Sequence, residues 1–78
     1  MKMSELMAKC QKHVDISTRA GTTIIAYQHL FDAAGQAGDW EEMERCREVL
    51  KNQIDIQCDA KMAQYRLIQD WKKDGCRE

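Results

Sequence analysis

One spacing constrains this chain more than any other property. Met3, Leu6, Cys10, His13, Ser17, Ala20, Ile24, Tyr27, Phe31 and Ala34 follow one another at alternating steps of three and four. That period returns side chains to one side of an α-helix and keeps a stripe facing a neighbouring helix. Met43, Cys46, Leu50, Gln53, Gln57, Ala60, Gln64, Leu67 and Trp71 repeat the pattern. The chain has no proline, only four glycines, and abundant Ala, Met, Gln, Glu, Lys, Arg and Leu, a composition that favours long helices. Thr22 to Tyr27 is rich in β-branched residues, which suit strands. The stripe runs through that segment unbroken, so it reads as helix. Gly21 weakens it by about 1 kcal/mol relative to alanine. Glu5 with Lys9, and Asp15 with Arg19, have the i,i+4 spacing of helix-surface ion pairs.

The two stripes are separated by DAAGQAGDWEE, Asp32 to Glu42. Asp39 is a good N-cap and Glu42 stands three residues later, the spacing of a capping box. Glu41, Glu42 and Glu44 put negative charge where a helix dipole favours it. At the far end Lys72 and Lys73 suit a last turn and Gly75 a stop. The reading is an all-α, antiparallel two-helix hairpin forming a single domain over residues 1–78. Its helices are expected over about 3–35 and 40–74, with a turn over about 36–39.

Two helices cannot surround a core, and a chain of 78 residues struggles to bury enough apolar surface alone. Further apolar residues flank both stripes: Met7, Val14, Ile16, Ile25 and Leu30, then Val49, Ile54, Ile56, Cys58, Met62, Ala63, Tyr65 and Ile68. The expectation is a homodimer or higher oligomer forming a four-helix bundle, or a complex with another protein's helices. Ile16, Ala20, Ile24, Leu50, Ile54, Tyr65 and Ile68 are the candidate oligomer interface.

The formal net charge is −1, which argues against a general nucleic-acid binder. The charge is uneven, however. Residues 20–60 carry three basic and eight acidic side chains, and the remainder carries nine basic and five acidic. Folding the hairpin gathers the first set at the turn and the second at the open end. MKMSELMAKC has no continuous apolar run and does not read as a signal peptide. The longest uncharged stretch, AGTTIIAYQHLF, is too short and polar to span a bilayer. The expected compartment is the cytoplasm. Cys10, Cys46, Cys58 and Cys76 form no C-x-x-C pair and are expected as reduced thiols.

Few residues group as a chemical site. Cys10 and His13 lie one turn apart, but zinc needs two more ligands. With the bend near residue 37, the residues facing them are Tyr65 and Met62, so no metal or other cofactor is expected. Glu41-x-x-Glu44 resembles the metal-binding carboxylates of helical nucleotide pyrophosphatases. That family needs a second Glu-x-x-Asp, and here Asp55 and Asp59 are four apart. AGDWEEMERCREVL resembles the opening of a tetratricopeptide helix, yet nothing repeats at a period near 34 residues. No phosphate loop or nucleophile signature is present, and the chain does not read as an enzyme. His13, Ser17, Gln53, Gln57 and Gln64 put polar groups on the stripes. Such groups pair across a bundle and fix register, or else line a polar cavity for a small ligand.

The turn end combines acidic charge with aromatics. Tyr27, Phe31, Trp40, Glu41 and Glu44 are the candidate partner-binding residues, because aromatics anchor interfaces and acidic charge suits a basic protein surface. Tyr27 and Phe31 also have a simple role as core residues. The small size and bare helical hairpin resemble the inhibitor proteins that temperate phages encode, antirepressors among them. That resemblance implies a non-catalytic protein that binds a DNA-binding repressor and displaces it from DNA. Two alternatives stand beside it: a nucleic-acid-binding hairpin dimer using Lys2, Lys9, Lys12, Arg66, Lys72 and Lys73, and a ligand-sequestering bundle using the polar stripe.

Overall fold

The computed structural model describes residues 2–75, so Cys76 lies outside the described residues. Two helices, α1 (Met3–Ala37) and α2 (Trp40–Lys73), pack against each other along their lengths. The molecule measures 56 × 16 × 12 Å with a radius of gyration of 17.5 Å. A globule of this length would have a radius near 12 Å, so the hairpin is a rod with an unusually large surface.

The stripes read from the sequence form the helix–helix contact. Every residue of both is buried or half-buried, with Leu6, Ala20, Ala34, Cys46 and Ala60 the most enclosed. Small residues at Ala20, Ala34, Cys46 and Ala60 let the backbones approach. Gly21 contributes to the same closeness, since a Cβ there would sit 3.2 Å from Gln57 Nε2. The antiparallel register is marked by Gln57 Nε2 donating to the Ser17 carbonyl at 3.3 Å. In the β-branched segment, Thr22 and Thr23 donate their hydroxyls to the carbonyls of Thr18 and Arg19, each at 3.1 Å. The helix thus satisfies the polar groups that would otherwise compete with it.

The connection is tighter than the sequence implies. Gln36 and Ala37 remain helical, and Gly38 and Asp39 alone make the turn. Gly38 adopts the left-handed conformation at φ 70°. Its N–H donates to the Gly35 carbonyl at 3.2 Å, and the Asp39 N–H donates to the Ala34 carbonyl at 2.9 Å. These two bonds are a Schellman closure, which ends a helix within one glycine. Gly35 is therefore not the stop; it packs beside Met43 inside the contact. Asp39 also caps α2, its carboxylate accepting from the Glu42 N–H at 3.2 Å. Only half of the capping box forms. The Asp39 N–H is already committed to Ala34, so Glu42 turns to Arg45 and Cys46 instead.

At the far end α2 stops one residue earlier than expected, at Lys73, and Gly75 follows in the left-handed region at φ 84°. The surface pairs differ from expectation as well. Asp15 accepts from Gln11 Nε2 at 2.8 Å rather than pairing with Arg19, and Glu5 and Lys9 form no ion pair. Exposed pairs of this kind gain little over the entropy they lose, so the alternatives are close in energy. Among the described residues no helix is long and apolar enough to cross a membrane.

Candidate functional site

The turn presents Trp40 as the first residue of α2, 71% exposed on a backbone held by the Schellman closure and the Asp39 cap. Glu41 beside it is exposed. Glu44 is exposed and paired with Arg47 at 3.2 Å, and Glu42 pairs with Arg45. Two of the tip carboxylates thus have guanidinium partners, and Asp39 is engaged as a cap. The acidic field at the turn is weaker than a count of side chains implies.

Phe31 is half-buried and lines a shallow groove with Leu50 and Ile54, rimmed by Arg47, Lys51 and Asp55. Tyr27 is also half-buried and borders a neighbouring depression with Glu44, Glu42, Arg45 and Val49, which shares Arg47 and Lys51 with the Phe31 groove. Of the five candidate partner-binding residues, Tyr27 and Glu44 therefore share one depression and Phe31 lines its neighbour, while Glu41 and Trp40 line neither. Trp40 lies in the same seven-step row as Arg47 and Ile54, which places it on the flank of the Phe31 groove. Nothing in the sequence marks Arg47, Lys51 and Asp55 as a rim, because charged residues beside an apolar stripe look the same whether or not they frame a groove.

The candidate oligomer residues divide between three environments. Ala20 is 1% exposed and wholly enclosed between α1 and α2, so it offers nothing to a second chain. Ile24 and Leu50 are half-buried in the same contact. Ile16 is exposed beside Ile56 and Ala63. Ile54 and Tyr65 are exposed away from that group, and Ile68 is half-buried. These residues cannot form one continuous patch, because Ile16 and Ile54 flank opposite sides of the helix–helix contact.

The polar stripe residues His13, Ser17, Gln53, Gln57 and Gln64 are all half-buried. Gln57 pairs with Ser17 across the hairpin, and no buried side-chain nitrogen or oxygen among the described residues lacks a partner. His13 lies beside Ala60 and Ala63 rather than Met62, which is exposed, as is Tyr65. The facing pair expected from a bend near residue 37 is therefore corrected by about one-third of a turn. Among the described residues no three His, Cys, Asp or Glu side chains stand together as metal ligands.

Cys46 is fully enclosed, and its thiol donates to Glu42 Oε1 at 3.7 Å. Burial pushes its pKa above the ordinary 9.0, with the Glu42 charge and hydrogen bond acting the same way and Arg45 opposing them. Cys10 is half-buried and Cys58 exposed, both as free thiols. Compared with known proteins, the chain matches no family model, no curated protein and no solved structure.

Proposed function

We propose that this chain is a small non-catalytic regulatory protein that binds another protein and inhibits it, as an antirepressor does with a DNA-binding repressor. One observation carries the reading: a tryptophan 71% exposed at a rigidly capped helix start. An exposed indole is costly to leave in water and is a preferred interface anchor. The capped turn holds it with little conformational freedom left to lose on binding. The nearby Phe31, Leu50 and Ile54 groove adds apolar surface to the same flank. Exposed Glu41, which has no ion-pair partner among the described residues, favours a basic surface such as a DNA-reading face.

The test compares the wild-type chain with a Trp40→Ala, Glu41→Lys double variant whose helicity is verified by circular dichroism. Each is used to capture partners from its native cell extract. The expected result is one stoichiometric DNA-binding protein, retained by the wild type and lost by the variant. Adding the wild-type chain to that protein on its operator should then release the DNA. Equal capture by both chains rules out the tip as the binding site. No stoichiometric partner, or no DNA release, overturns the proposed inhibition.

A further inference from the structure

The two flanks of the helix–helix contact are not equivalent. On one, the row Lys9, Ile16, Thr23, Leu30, Ala37 of α1 runs beside the row Glu42, Val49, Ile56, Ala63, Asp70 of α2. Residues seven apart share a helix side, and the antiparallel register brings Ile16 to Ile56 and Ala63. The same register sets Thr23 near Ile56 and Leu30 near Val49. The middle of this flank is apolar apart from Thr23, whose hydroxyl is spent on the Arg19 carbonyl, and Asp59 and His13, which border Ile16 and Ile56. Further charge returns at Lys9, Asp70 and Glu42. Ile16, Leu30 and Ile56 are 43, 49 and 42% exposed there. On the opposite flank the corresponding rows are interrupted by Gln28, Arg47 and Lys61.

We infer that the Ile16–Leu30–Val49–Ile56 flank is covered by a second copy of this chain, packed antiparallel. The turn of each hairpin then lies beside the open end of the other. Three observations select this occupant. The patch is nearly symmetric about the level of Thr23 and Ile56, with Ile16 and Ala63 on one side and Leu30 and Val49 on the other. A two-fold axis through that level lays each half on its counterpart, as an isologous interface requires. The chain exposes 5946 Å², whereas a compact monomer of 9.1 kDa exposes about 4,900 Å². The excess, about 1,000 Å², matches the roughly 800 Å² each partner contributes to a stable interface.

The third observation is charge. Residues 20–60 carry three basic and eight acidic side chains against nine and five in the remainder. Taken as whole ends, antiparallel packing sets the net-acidic turn half against the net-basic open half, whereas parallel packing would stack like on like. On the flank itself it brings Glu42 to Asp70 of the second copy, so the preference comes from the surrounding basic residues of the open end. The arrangement leaves Trp40 and the Phe31 groove open on the other flank, so it stands or falls separately from partner capture.

Zero-length carbodiimide cross-linking of the unmodified chain, with peptide mapping, tests the geometry. Within one hairpin Glu42 and Lys9 are about 40 Å apart along the helix axes, so a direct amide between them has to join two copies. The expected products link Glu41 or Glu42 to Lys9, Lys12 or Lys73, and light scattering should give twice 9.1 kDa. Ile56→Glu should weaken self-association about 100-fold, because each dimer then buries two unpaired carboxylates. Ile54→Glu, on the other flank, should leave it unchanged. A monomer mass at high micromolar concentration, a dimer without turn-to-open-end links, or equal effects of the two substitutions would overturn the inference.

Discussion

Gln57 reaches across the hairpin and donates its Nε2 hydrogen to the main-chain carbonyl of Ser17, 40 residues away in sequence. The same nitrogen lies 3.2 Å from where a Cβ on Gly21 would stand. A polar side chain and a missing side chain thus share one space, and each accounts for the other. A side chain at residue 21 would require the Gln57 amide to give by a few tenths of an ångström.

That sharing predicts coupling. Gly21→Ala alone gains about 1 kcal/mol of helix propensity and loses a comparable amount by displacing the Gln57 amide. Its net effect in urea unfolding, at fixed protein concentration, should be close to zero. In a Gln57→Ala background the same substitution should stabilise by nearly the full propensity gain. The coupling expected from the four-variant cycle is about 0.5–1 kcal/mol. Equal effects in both backgrounds would show that Gly21 is there for another reason.

The two-residue turn should be the most substitution-sensitive exposed segment. Asp39→Ala removes the cap on the Glu42 N–H and should cost about 1 kcal/mol, whereas Asp39→Asn should be nearly neutral. Gly38→Ala forces a side chain into φ 70° and should cost about 1–2 kcal/mol. Trp40→Ala, next in sequence but solvent-exposed, should change stability by less than about 0.5 kcal/mol. Thermal unfolding of the four variants checks the order. A Trp40 effect as large as that of Gly38 would mean the indole is structural.

The thiols should separate by reactivity. Iodoacetamide at neutral pH should modify exposed Cys58 in the native protein and reach enclosed Cys46 only on unfolding. The raised Cys46 pKa also carries a pH signature. As pH climbs, the unfolded chain surrenders this proton first, near the ordinary 9.0. The stability it contributes is therefore whole below that value and falls as pH rises through the folded pKa. Cys46→Ala should flatten the alkaline side of the stability profile relative to wild type, measured by urea titration from neutral to alkaline pH.

Much of the fold was legible in the spacing of residues. The stripes through Phe31 and Leu50 lie along the helix–helix contact, because a three-four step leaves an apolar row no other way to leave water. The Asp39 cap was legible too, since its side-chain chemistry is local. The exact end of α1 was not. Gly35 and Gly38 are both plausible stops, and the choice depended on Gly35 packing beside Met43 while Gly38 turned left-handed.

The surfaces were the least legible part. Ile16 and Ile54 looked like members of one outer row, and the structure puts them on opposite flanks, while Ala20 disappears into the contact. Periodicity gives a residue's angle about its own helix axis and nothing about the rotation of one axis relative to the other. Two helices, the stripe on each and the capped turn follow from local spacing and capping chemistry, and residue order is enough to specify them. The register of α1 against α2 comes from packing between the two helices. That register set which exposed residues share a flank, and so separated the continuous apolar face from the groove beside Trp40.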